Sequence, residues 1–209
     1  MSIKLLLLAD RNERLIECWK REFSFAGDVQ CKLENIFADR ADAIVSPANS
    51  FGIMDGGLDG KLRDFFGMEI EKKIRERINK DFNGELLVGQ AIITGTGNPQ
   101  FPYIITAPTM RIPQDISGSI NAYLAMKAIL ITAIKNNIST IVCSGLGSLS
   151  GRMKPEIVAR QMRIAYEKVI QNKYNFSHWR EEREMESYMK CEQDSPPIDL
   201  EKPFRSLRG

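Results

Sequence analysis

Short apolar runs rich in branched side chains recur along this chain, and nearly every one leads into a segment whose apolar residues fall at helical spacing. The runs are "LLLLAD", "VQCKL", "DAIVS", "AIITG", "YIITAP" and "TIVCSG". Runs this short and this continuous read as strands buried on both faces, which need helices above and below them. Leu15, Ile16, Trp19 and Phe23 share one helical face. Leu62, Phe65 and Phe66 share another, followed past Gly67 by Ile70, Ile74 and Ile78. The spacing predicts further helices over 120–134 and from Pro155 to about Ile170, with the proline in a first turn where its missing N–H costs nothing. Asp10 and Glu13, three apart, read as a capping box for the first helix. The "VQCKLENIF" and "ELLVGQAIITG" segments read as further strand. Together these predict an α/β chain of three layers, α/β/α, around a mixed, mostly parallel central sheet.

Composition narrows what such a chain does. With 209 residues, 43% of them hydrophobic, one good core is expected. Twenty-nine basic against 27 acidic side chains leave a net charge of +2, which provides no broad electrostatic footprint for nucleic acid. A small partner is expected instead. Cys18, Cys31, Cys143 and Cys191 are far apart and form no C-x-x-C pair, so no zinc site is predicted and a reducing, cytoplasmic setting is. The opening "IKLLLLAD" is too short for a signal peptide or a membrane span. The single histidine, His178, lies late in the chain, which disfavours Ser-His-Asp chemistry. In "GLGSLSG" the G-x-S-x-G elbow is missing because Leu149 stands midway, and the G-x-G-x-x-G spacing is missed by one position.

Two loops carry the functional signal, since ligands of such sheets sit beyond the carboxyl ends of strands. One follows Val45 and runs "SPANSFGIMDGGLDG"; the other, "SGLGSLSG", follows Cys143. Glycine-rich turns that open helices aim backbone N–H groups outward and form nests for phosphate. Asp59 has the chemistry of a general base, or of a helix N-cap. Asn49 can fix sugar hydroxyls, or bond its own turn. Arg111 and Arg152, each at a strand's carboxyl side, are candidate diphosphate partners. Phe51 and Phe101 are candidates for ring stacking or for core lids.

The quoted stretches resemble the macro domain family, whose members bind ADP-ribose and related nucleotides. "DAIVSPANS", "GGLDG", "VGQAIITG", "YIITAP" and "SGLGSLSG" match the family's pattern in order over roughly residues 1–175. The resemblance implies that Asn49 and Asp59 face the distal ribose and act as catalytic residues. It implies that Ala48 with Gly56, Gly57 and Leu58 forms one ligand wall, and that Ser144, Gly145, Gly147, Ser148, Leu149, Ser150, Gly151 and Arg152 form the other. Asn35 and Ile36 fall where the family reads adenine. Three departures mark this chain: Asn35 in place of an acid, Ser46 in place of the first Asn of the family's pair, and Asp55 in place of a loop glycine. The implied function is a metal-independent ADP-ribosyl hydrolase that needs no cofactor and acts on an ADP-ribosylated macromolecule or an ADP-ribose derivative. The alternative is a non-catalytic reader or sequestering protein. No membrane partner is expected.

From residue 176 to 209 the composition turns to mixed charge and proline. This reads as a helical or flexible extension, or as a docking segment anchored by Trp179, Met185, Tyr188 and Met189.

Overall fold

The computed structural model describes residues 3–191. The chain runs β1 (Leu5–Asp10), α1 (Glu13–Glu22), β2 (Val29–Leu33), β3 (Ala43–Ser46), α2 (Gly57–Phe66), α3 (Glu69–Phe82), β4 (Ile92–Gly95), β5 (Tyr103–Thr106), α4 (Asn121–Lys135), β6 (Thr140–Cys143), α5 (Pro155–Ile170) and α6 (Trp179–Lys190). The strands form one sheet in the order β2-β1-β6-β3-β5-β4. The β4–β5 pairing is antiparallel and the others are parallel. The sheet is therefore mixed and mostly parallel, as the sequence predicts.

The two-residue period of the strands sorts their side chains into two cores. Leu7, Ala9, Ile44, Ile104 and Val142 pack beneath Leu62 of α2 and Ile70, Ile74 and Ile78 of α3. Leu6, Leu8, Val45, Ile105 and Ile141 point the other way, into α1, α4 and α5. Both faces are covered, which is why the strands read as unbroken apolar runs. Asp42, just before β3, aligns the two strands that carry the glycine loops. Its Oδ2 accepts from Ser139 N (2.9 Å), Ser139 Oγ (2.8 Å) and Thr140 N (2.8 Å) at the start of β6.

Two local expectations are corrected. The cap of α1 is Asn12, whose Oδ1 accepts from Leu15 N at 3.2 Å. Asp10 belongs to the end of β1 instead. Of "ELLVGQAIITG", only Ile92–Gly95 is strand, because Gly89 takes a left-handed φ of 95° and turns the chain just before it. Leu33, at the end of the edge strand β2, is exposed.

The extension packs as an element of the domain. Met185, Tyr188 and Met189 are buried in the same core as α5, whereas Trp179 is exposed. His178 caps α6, its Nδ1 accepting from Arg180 N. At the other end Arg160 donates to the carbonyls of Tyr188 (3.1 Å) and Cys191 (2.6 Å), supplying a cation where a helix leaves carbonyls unpaired. Buried Gln161 accepts from Tyr123 N and donates to the carbonyls of Ser119 and Met189, joining α4, α5 and α6. Residues 192–209 of the expected extension lie outside the described residues. Among the described residues no helix is long and apolar enough to cross a membrane.

Candidate functional site

Four parallel strands end side by side along one edge of the sheet, and the segments that leave them enclose a cleft of about 640 Å³. Each strand contributes one stretch of wall: Glu34–Phe37 after β2, Asp10–Asn12 at β1, the loop from Ser144 after β6, and Pro47–Asn49 after β3. The opening of α2, from Asp55 to Asp59, and the pair Thr109 and Met110 add to it. This is the crevice that parallel topology makes available.

The second loop is built for close backbone approach. Gly147 has φ of 76°, and a Cβ there would lie 2.9 Å from Ile116 Cδ1 and 3.0 Å from Met153 Sδ. A Cβ on Gly151 would fall 2.6 Å from the Gly147 carbonyl oxygen. Asp10 anchors the start of this loop, its Oδ2 accepting from Gly145 N at 3.2 Å while Oδ1 accepts from Asn12 N at 3.0 Å. Ser148 and Arg152 are not among the cleft-lining residues. Ser148 Oγ donates to the Gly145 carbonyl inside the loop, and Arg152, with φ of 55°, closes the turn by donating its N–H to Leu149 O.

In the first loop, Gly56 is the N-cap of α2 in an extended conformation with open space around its Cα, and Gly57 takes φ of 58°. Asp59 therefore stands two residues past the start of the helix and is not its cap. Asp59 lines the cleft yet is only 9% exposed, and Ser46 Oγ donates to its Oδ1 at 2.7 Å. Burial pushes the Asp59 carboxyl up to about 6, against the Ser46 hydrogen bond, with the Asp55 charge adding to the rise. Asn49 lines the cleft while its amide braces its own loop: Nδ2 donates to Ile53 O (2.7 Å), and Oδ1 accepts from the N–H groups of Phe51 and Ile53.

At the far end Asn35, Ile36 and Phe37 line the wall, with Asn35 Oδ1 accepting from Phe37 N at 3.3 Å. Glu34 lines it too, and hydrogen bonding to Asp39 raises its carboxyl above the ordinary value. The remaining expected residues, Ala48, Leu58, Ser144, Leu149 and Ser150, also line the cleft. Arg111 does not. It pairs with Glu85 at 2.6 Å and lies over the Phe51 ring, and Phe101 is fully buried. Residues that sequence reasoning missed include Asp10, Arg11, Asn12, Phe37, Lys61 and Thr109. Asp10 and Asn12 had a signal in their place at a strand's carboxyl end, which the capping-box reading masked. Among the described residues no group of acidic, His or Cys side chains is placed to hold a metal.

The Macro domain family model matches residues 45–162, more than half of the chain. The chain belongs to the macro domain family. An uncharacterized protein of Aquifex aeolicus is 36% identical over 122 residues, covering 58% of this chain and 70% of that protein. One from Aeropyrum pernix is 33% identical over 126 residues, covering 60% of this chain and 64% of its own length, so the chain spans less than two thirds of that relative. Among solved structures, the macrodomain of Mycobacterium tuberculosis DarG superposes with a TM-score of 0.57 at 18% identity over 66% of this chain and 88% of that one. Thermosipho africanus DarTG in complex with ADP-ribose superposes with a TM-score of 0.54 at 17% identity, over 64% of this chain and 37% of that one. This macro domain thus has the family's α/β/α fold, and its family match begins within β3 and ends within α5.

Proposed function

We propose that this macro domain binds ADP-ribose in the cleft and hydrolyses its bond to an acceptor, a modified macromolecule or small derivative. The observation that carries the reading is Asp59, a buried carboxyl on the cleft wall beside the opening of α2. A carboxyl pushed to about 6 is ionised at neutral pH and close enough to that pH to exchange a proton efficiently. In this pose the base lies against Asn35–Phe37. The diphosphate lies between the N–H groups of Gly56, Gly57 and Gly147–Gly151, and the distal ribose lies beside Asn49 and Asp59. Asp59 takes a proton from water as the water oxygen bonds the anomeric carbon. The acceptor leaves with the electrons of the broken bond and takes up the proton. ADP-ribose in a superposable neighbour supports the choice of ligand, and buried free thiols at Cys18 and Cys143 suit a reducing, cytoplasmic setting.

The engagement of both Asn49 polar atoms within its own loop favours a second reading, a reader that holds ADP-ribose without turnover. Asp59→Asn separates the two. On ADP-ribosylated peptides, hydrolysis should fall by about 10²-fold or more, while calorimetry gives ADP-ribose affinity close to that of the unaltered chain. No hydrolysis by the unaltered chain on Glu-, Ser- or Arg-linked peptides would leave the reader.

A further inference from the structure

We propose that Ser46 is a positioning residue for Asp59: from the buried end of β3 its hydroxyl clamps one carboxylate oxygen and leaves the other as the oxygen turned to the ligand. The part that concerns turnover rests on the hydrolase reading above; the pairing itself does not.

The geometry carries it. Ser46 is fully buried, and its Oγ lies 2.7 Å from Asp59 Oδ1. Ser46 follows Ile44 by two residues, so it shares the sheet face that α2 covers. Around it that layer holds Ile44, Leu62 and Ile104. The β3–β5 register sets Thr106 beside Ser46, and its Oγ1 is buried without a hydrogen bond among the described residues. Polar side chains in an apolar layer cost stability unless they are partnered.

A serine hydroxyl also distinguishes the two states of its partner. Donation to an ionised oxygen is roughly twice as strong as donation to a neutral one. Ser46 therefore works against the two influences that favour protonation, burial and the charge of Asp55 in the loop before α2. Of the other groups at this level, β5 presents the neutral Thr106, and Lys61 lines the cleft two residues along α2. The clamp holds Asp59 in the ionised form a base needs and fixes which oxygen meets water.

The test is a carbon-13 NMR titration of the Asp59 carboxyl in the full chain, in the unaltered protein, Ser46→Ala and Ser46→Thr. Loss of the hydroxyl should raise the Asp59 midpoint by about one pH unit or more, and the rising limb of the pH–rate profile should move with it. Threonine should restore both. An unmoved midpoint in a folded Ser46→Ala protein overturns the proposal. If the alanine variant does not fold, Ser46→Cys, a weak donor of similar size, replaces it: a raised midpoint supports the clamp and an unmoved one overturns it. An unaltered chain that binds ADP-ribose without turnover, with the midpoint shift intact, defeats the hydrolase reading while upholding the clamp.

Discussion

Residue by residue, cleft positions that face open space differ from cleft positions packed against the rest of the fold. Gly56 and Gly147 are both cleft glycines, yet they should answer substitution differently. Gly56 is extended with open space around it, so Gly56→Val should cost about 1 kcal/mol of stability as a poorer helix cap, while filling the cleft and abolishing ADP-ribose binding by calorimetry. Gly147 has positive φ and close neighbours, so Gly147→Val should lower the melting temperature as well as the affinity. Asp59 makes a pH-dependent prediction with a fixed sign. Its carboxyl is raised from 3.8 to about 6 on folding, so the folded state holds its proton more tightly. The stability this contributes is complete below about pH 3.8 and is lost as pH rises through about 6. The melting temperature of the unaltered chain, measured relative to Asp59→Asn, should therefore fall across that window. Hydrolysis should rise with one-proton dependence centred on about pH 6, the folded carboxyl's own value. A flat difference would mean Asp59 is not titrating there.

Elements were legible where the signal is local. The strands of the inner sheet, the helices over 121–135 and 155–170, and both glycine loops follow from apolar runs, helical spacing and turn residues. What depended on partners far along the chain was not legible. Asp10 and Gly145 are 135 positions apart, and no spacing in sequence announces that one anchors the other's loop. The Ser46–Asp59 contact was missed for a similar reason, although both residues stood out singly: a short strand and the first turn of a helix meet only through packing. α6 did carry a signal, since Met185, Tyr188 and Met189 stand at helical spacing among charges, but the surrounding charge outweighed it. Their burial predicts that α6 is part of the domain's stability. Met189→Ala should cost about 2–5 kcal/mol, and truncation after Asn172 should cost more. Equilibrium urea unfolding measures both, and an unchanged midpoint after truncation would make the docking energetically idle.

At the scale of the whole molecule, parallel pairing converts strand order into the shape of a ligand. The ends of β2, β1, β6 and β3 succeed one another along the sheet edge, and at strand spacing they extend over about 14 Å. Asn35–Phe37 stands at one end of that line and Asn49 with Asp59 toward the other, with the second glycine loop between them. A ligand that reaches all three must be elongated, as ADP-ribose is in the proposed pose. A fragment reaches only part of the wall, yet it loses its translational and rotational freedom as fully as the whole ligand does. Joining the fragments gives the second part a high effective concentration at its subsite. ADP-ribose should therefore bind at least about 10²-fold more tightly than either AMP or ribose 5-phosphate in parallel calorimetric titrations. At a concentration one hundred times its Kd it should add about 2.7 kcal/mol to the stability of the fold. AMP binding as tightly as ADP-ribose would confine recognition to the Asn35 end. The Asn49–Asp59 end would then be open to some other chemistry, because a ribose that adds no affinity there is not being held for attack.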